Sequence, residues 1–222
     1  MYMELVNQGY VINHKKVQRI MQKRKLFWKK FKEKYHSYKG KIGKVADNII
    51  NREFKADRPL QKWTTGVSEF KFSWGKCYIS PILDMYTNEI ISYDLSPSPN
   101  LKQISNMLRK TFSKFPKLKN LILHSDQGWQ YQHKYYVNEL KNHGIKQSMS
   151  GKGNCYDNSI METFFGRLKN EVYYGYEKSY SSFEEFSKAI EEYIYYYNNE
   201  RIQSKTKWMP PTKYRLVSTT TN

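Results

Sequence analysis

The chain has 222 residues, with 38 Lys and Arg against 20 Asp and Glu, a formal charge of +18. That length buries one good core and a small appendage. A positive excess of this size points to nucleic acid or an anionic membrane surface as partner. No apolar run approaches the roughly 20 residues of a membrane-spanning helix, and Met1-Tyr2-Met3-Glu4-Leu5 lacks the basic-then-apolar pattern of a secretion signal. DNA or RNA in the cytosol is the expected partner, with no membrane. Cys77 and Cys155 form no C-x-x-C, and the five histidines show no zinc spacing with them.

Residues 1–50 read as a basic helical region. Met3 to Asn7 is a short first helix. Gly9 to Ile12 is a turn, and Asn13 caps a second helix that carries Val17, Ile20 and Met21 on one stripe. Lys15, Lys16, Arg19 and Lys23 surround that stripe, the outline of a helix-turn-helix. A solvated amphipathic helix explains the same pattern equally well. From Lys23 to Lys44 basic residues alternate with Phe27, Trp28, Phe31, Tyr35 and Tyr38, which suits a groove or linker on nucleic acid. Asn51 to Pro59 reads as a linker.

The main domain opens on strand formers. Lys62 to Phe70 is a first strand around Gly66, Cys77 to Asp84 a second and Glu89 to Leu95 a third, an antiparallel meander. A helix from Leu101 to Phe115 follows and stops at Pro116. Leu121 to Leu123 is a buried fourth strand. A helix over Tyr131 to Asn142 and a fifth strand over Ile145 to Met149 come next. Ser150 to Asn154 is a glycine-containing loop, read as mobile and able to approach DNA. It leads to a helix that holds Glu162, and a last long helix spans Phe183 to Asn199. The order β-β-β-α-β-α-β-α is that of the ribonuclease H-like fold, an α/β core with a five-stranded mixed sheet and flanking helices. The expected domains are the basic region over 1–50, the core over 51–215 and a disordered tail over 216–222.

Two carboxylates stand out. Asp126 follows the fourth strand, Glu162 lies early in a helix, and 35 residues separate them (127 to 161). Carboxylates on separate rigid elements can hold Mg2+ or Mn2+ for phosphodiester chemistry. A lone carboxylate at a strand end or on a helix face is commonplace. The joint setting, a buried strand, a glycine loop and a basic domain, favours the metal reading. Lys169, seven residues past Glu162, falls on the same helix face and could meet a phosphate, and an ordinary surface lysine explains it equally well.

His124-Ser125-Asp126-Gln127-Gly128-Trp129-Gln130-Tyr131 resembles the second-aspartate motif of the IS-three family of bacterial insertion-sequence transposases, whose core is retroviral-integrase-like. The run from Gly151 to Phe165 resembles that family's glutamate motif. Tyr197 to Gln203 with Pro210-Pro211 resembles the end of its core, and Gly9 to Met21 the end of its helix-turn-helix. The resemblance implies that Asp126 and Glu162 are catalytic metal ligands of a two-metal Mg2+ or Mn2+ site. It also implies that Lys169 binds the element's end, with Arg167, Lys152, Lys15, Lys16 and Arg19 as further DNA contacts. The implied partners are double-stranded DNA, both element ends and target, and further copies of the chain assembled on it in the bacterial cytosol or nucleoid.

One departure bears on activity. The family has Asp in Trp63-Thr64-Thr65-x-Val67-Ser68-Glu69-Phe70 where this chain has Gly66, which offers no side-chain oxygen. Ser68 shares the strand face of position 66 but is a weak ligand. Glu69 points to the other face, and Asp84 lies on the next strand. The expectation is therefore a DNA transposase core, a polynucleotidyl transferase by resemblance, with weakened metal binding and impaired strand transfer. The alternative is a non-catalytic protein that occupies element ends and inhibits transposition. A different nuclease on the same fold is a third possibility.

Overall fold

The computed structural model describes residues 1–26, 46–151 and 155–220. The basic-aromatic run over 27–45 and Lys152 lie outside them. Two short helices open the chain, α1 (Tyr2–Asn7) and α2 (His14–Lys23). The Asn13 side chain caps α2 by accepting the Lys15 N–H at 2.8 Å. Val17 is buried, but Ile20 is 43% exposed, so the apolar stripe of α2 is covered only at its start.

The expected linker is not a free tether. Ile50 and Ala56 are buried, and Ile49 N–H donates to Ser148 Oγ at 3.0 Å. These contacts lay residues 46–56 against the sheet.

The sheet is built from β1 (Lys62–Thr65), β2 (Ser68–Phe72), β3 (Gly75–Asp84), β4 (Ile90–Ser96), β5 (Ile122–Ser125) and β6 (Lys146–Met149). Its order is β2-β3-β1-β5-β6, with β4 on the other side of β3. The strand expected over 62–70 is thus two strands. Both pair with β3 in one unbroken register, Thr65 opposite Ile82 and Ser68 opposite Ile79. Gly66 therefore faces Pro81, whose ring nitrogen has no proton to give to a ladder, and pairing lapses there. Counted as lanes, β1 and β2 occupy one, which reconciles six strands with the five expected. β1 runs parallel to β5, and β5 to β6.

Helices cover both faces. On one, α6 (Ser159–Leu168) and α7 (Phe183–Asn199) pack Met161, Phe164, Phe186 and Ile190 onto Phe70, Ile79 and Leu83. On the other, α3 (Leu101–Lys114) and α5 (Lys134–Asn142) pack Ile104, Met107, Tyr136 and Leu140 onto Trp63, Ile82 and Leu123. Adjacent Ile82 and Leu83 serve opposite faces, as the two-residue period of a strand requires. The helix expected over 131–142 is interrupted: α4 (Trp129–Gln132) precedes α5, and His133, in extended conformation, caps α5.

The expected disordered tail is also corrected. Helix α8 (Pro211–Thr220) starts on a proline, suited to a first helical turn. It is anchored where Arg215 Nε donates to the buried Glu89 carboxylate at 2.5 Å and Tyr214 stacks on Tyr86.

Candidate active site

Parallel pairing brings two of the singled-out positions together. Trp63 pairs with Leu123 and Thr64 with His124. Two residues further along each strand stand Gly66 and Asp126, so both leave the sheet at the same end. Thr65 anchors this end of β1 through its hydroxyl, which donates to the Pro81 carbonyl at 2.8 Å. Gly66 itself is buried.

Helix α6 is tied to the same place by Asn158. Its Nδ2 donates to the Thr65 carbonyl at 3.0 Å, and its Oδ1 accepts the Thr64 hydroxyl. A Cβ placed on Gly66 would lie 3.2 Å from both Met161 Cγ and Phe165 Cε2. Met161 and Phe165 flank Glu162, which sits half-buried in the first turn of α6. The helix N-terminus carries partial positive charge, which favours a carboxylate there. Positions 66, 126 and 162 thus come from β1, β5 and α6 to one end of the sheet.

Asp126 is half-buried, and its Oδ1 accepts the Gly128 N–H at 2.9 Å. Burial lifts its carboxyl above the usual range, against the opposing pull of that hydrogen bond. A cation beside it would reverse the effect. Beneath it, His124 is fully buried and shares a 2.9 Å hydrogen bond with Ser148 Oγ. Burial pushes its imidazole down to about 4, so the ring is neutral at pH 7.

A second carboxylate, Asp157, braces the loop end before α6. It takes Arg52 Nε at 2.8 Å, Asn48 Nδ2 at 3.0 Å and Gly151 N–H at 2.9 Å. Burial raises its carboxyl, but the Arg52 and Gly151 hydrogen bonds and the Arg52 charge outweigh it and hold the group below its ordinary value. Sequence reasoning missed this brace, because Asn48 and Arg52 lie more than a hundred residues away.

The carboxylates nearest Gly66 in the sequence, Asp84 and Glu69, are both engaged elsewhere. Asp84 is fully buried opposite Trp63, three residues before Gly66 along β1. Its Oδ2 accepts Leu60 N–H and Trp63 Nε1, and its Oδ1 accepts Tyr86 N–H, Thr87 N–H and the Thr87 hydroxyl. Glu69 is held by Lys76 at 3.0 Å and the Tyr78 hydroxyl at 2.5 Å. Among the described residues no cluster of three His, Cys, Asp or Glu side chains is placed to hold a metal ion. Position 66 itself offers no side-chain oxygen to a cation.

The remaining predicted contacts are scattered. Lys15, Lys16 and Arg19 are exposed on α2. Lys169 opens a π-helical turn, Lys169–Tyr173, and its ammonium lies 5.6 Å from the Phe70 ring centroid. Arg167 turns instead toward Gln203.

An integrase core domain family matches residues 56–155, and a second integrase core family matches residues 162–218. The chain is 55% identical, over 93% of its length and 94% of the relative, to an uncharacterized transposase-like protein of Haemophilus influenzae. It is 47% identical to the putative transposase InsK for insertion sequence element IS150 of Escherichia coli, over 96% of the chain and 75% of the relative. This chain belongs to the insertion-sequence transposases with an integrase core. Transposase InsF for insertion sequence IS3A of Escherichia coli is a more distant relative, 32% identical over 78% of the chain and 60% of that protein. Among solved structures, the chain resembles a chain of a simian T-cell lymphotropic virus intasome with TM-score 0.61 and 11% identity, covering 79% of this chain and 59% of that one. The HTLV-2 integrase catalytic core in complex with magnesium gives 0.59 and 14%, covering 72% and 99%. At those identities the likeness carries the fold, a ribonuclease H-like integrase core.

Proposed function

We propose that this chain serves DNA transposition as a transposase core that binds insertion-element DNA and whose active site is broken at Gly66. The observation that carries the reading is the convergence of positions 66, 126 and 162 from β1, β5 and α6, with carboxylates at two of the three. In this reading Asp126 and Glu162 are the surviving ligands of a divalent metal site. Mg2+ or Mn2+, when bound in a complete site, activates an oxygen nucleophile and stabilises the leaving oxygen. The donor set here does not complete such a site, so metal binding is weak and strand transfer impaired.

Residues 1–50 would serve as a basic DNA-binding region, through Lys15, Lys16 and Arg19, ahead of a core over 51–215. Further copies of the chain would assemble with it on duplex DNA in the bacterial cytosol or nucleoid. A relative named as a transposase for IS150, a neighbour named as an intasome and a core solved with magnesium support these assignments.

A second reading, a non-catalytic protein that occupies element ends, draws on the packing around Gly66. A Cβ at position 66 would lie 3.2 Å from Met161 Cγ and from Phe165 Cε2, so these side chains crowd any residue larger than glycine there. The test is Mg2+- or Mn2+-dependent strand transfer on element-end DNA by the native protein and by Gly66→Asp. Activity in Gly66→Asp alone supports the broken transposase. DNA binding without activity in either supports the binding protein. Full activity of the native protein contradicts the role given to Gly66.

A further inference from the structure

A cavity of about 380 Å³ lies between α6, the turn after β3, the end of α7 and residues 201–205. Its wall on α6 is the stripe Ile160, Thr163, Phe164 and Arg167, and Thr163 is one residue, roughly 100°, round the helix from Glu162. Asn88, in the turn at the Asp84 end of β3, also lines it. The cavity thus runs from the first turn of α6, beside Glu162, toward the Asp84 end of β3, away from Gly66 and Pro81. We propose that this cavity is a second anion site of the protein, which takes a phosphodiester of bound duplex DNA. The proposal deepens the DNA-binding reading above and rests on it.

The lining is rich in donors. Arg167, Arg201 and Lys205 all border the cavity, and no acidic residue does among the described residues. Arg201 is partly neutralised by Glu171, 2.5 Å from its NH1. Arg167 makes no ion pair among the described residues. Its Nη1 reaches the neutral Gln203 Oε1 at 3.4 Å, and its guanidinium lies beside the neutral Tyr197 side chain. Lys205 Nζ donates to the Met85 carbonyl at 2.6 Å and Asn88 Oδ1 at 3.1 Å, neutral acceptors both. Burial and the Arg167 charge make its ammonium easier to deprotonate than usual, against the pull of Asp84. An anion between Arg167 and Lys205 would relieve that strain.

Gln203 supplies an independent sign. It is 7% exposed, and its Nε2 has no hydrogen-bond partner. Two donors, Asn88 Nδ2 at 2.9 Å and Arg167 NH1, converge on its Oε1, which fixes the orientation of the amide. Gln203 borders the cavity, and its buried Nε2 has no acceptor within hydrogen-bond distance although the Tyr197 side chain lies beside it, so a phosphate oxygen admitted by a small shift of the amide would complete its hydrogen bonding. A guanidinium fork with an ammonium and an amide donor around one cavity suits a tetrahedral oxyanion.

The test measures binding of a labelled DNA duplex across a salt series by native protein, Arg167→Gln and Gln203→Met, with each variant's melting temperature checked. Arg167→Gln should bind several-fold more weakly and reduce the slope of log K against log salt by about one. Gln203→Met should weaken binding and leave the slope unchanged. A folded Arg167→Gln with native affinity and slope overturns the proposal. Should that variant fail to fold, Arg167→Lys takes its place. It keeps the charge and loses the fork, so a several-fold loss at unchanged slope is expected, and native affinity overturns the proposal. In a parallel arm, inorganic phosphate replaces chloride at equal ionic strength without DNA. Stabilisation lost in Arg167→Gln, with DNA binding intact, assigns the cavity to free phosphate and overturns the DNA assignment. If the native protein has no affinity for DNA, this proposal and the functional reading both fail. If it binds DNA and the variants do not differ from it, only the cavity assignment fails.

Discussion

A Cβ at position 66 would come within 3.2 Å of Met161 and Phe165, so restoring a carboxylate there has a steric cost. Gly66 does not adopt a left-handed backbone, and Met161 is flexible, so the cost is small, about 1–3 kcal/mol. Gly66→Ala should show the same loss in chemical denaturation. The two variants should part when Mn2+ is added: Gly66→Asp should gain melting temperature and Gly66→Ala should not. Asn158 carries the other end of the contact. Asn158→Ala leaves the Thr64 hydroxyl and the Thr65 carbonyl without their partner, and should cost about 1–3 kcal/mol by urea unfolding. That positions 126 and 162 lie at one end of the sheet was readable because each sits in a long run of distinctive residues on its own element. The tether from Asn158 to β1 was not, since nothing in a sequence says which carbonyl a buried amide will find. Nor could it say that Asp84 is wholly occupied by its own turn and by Trp63.

Between elements, buried carboxylates act as locks. Glu89 is 1% exposed and receives Arg215 from α8 and Lys114 from α3. Arg215→Ala removes one partner of a buried charge and should destabilise the protein by about 3–5 kcal/mol in denaturant titration. A variant that unfolds at the native midpoint would show that α8 is only loosely attached. Asp157 locks residues 46–52 to the start of α6 through Arg52. Its carboxyl is held below the ordinary value of 3.8, so its contribution is present above that pH and fades as pH falls through the folded-state value. The native protein should therefore lose stability below about pH 4 more steeply than Arg52→Ala, as melting temperatures across pH 2.5 to 6 would show. Hydrophobic periodicity made α3, α7 and the meander readable. The breaks at Gly66 and His133, and helix through the Thr-rich end, were not. The break at Gly66 and the helix at the end depend on partners distant in sequence, Pro81 across the ladder and Glu89 and Tyr86 under α8, whereas the break at His133 is a local cap onto Tyr135.

For the whole molecule, the charge of +18 sets how it meets DNA. Each phosphate contact releases counterions, so affinity should fall steeply with salt, with a slope of about 0.9 per contact in the logarithmic plot. A flat salt response would contradict an electrostatic DNA interface. The integrase-like layering was legible in the order of strands and helices. The donor-lined cavity was not, because its residues come from α6, a turn after β3 and the chain beyond α7. Whether Gly66 deprives the proposed metal site of a ligand can be read from Mn2+ binding measured by electron paramagnetic resonance. Native protein and Gly66→Asp would be compared, with Glu162→Gln added to the latter. Gly66→Asp should bind Mn2+ at least roughly tenfold more tightly than the native chain, since a charged ligand is added to the site, and Glu162→Gln should erase the gain. Native protein that binds Mn2+ as tightly as Gly66→Asp would contradict the account.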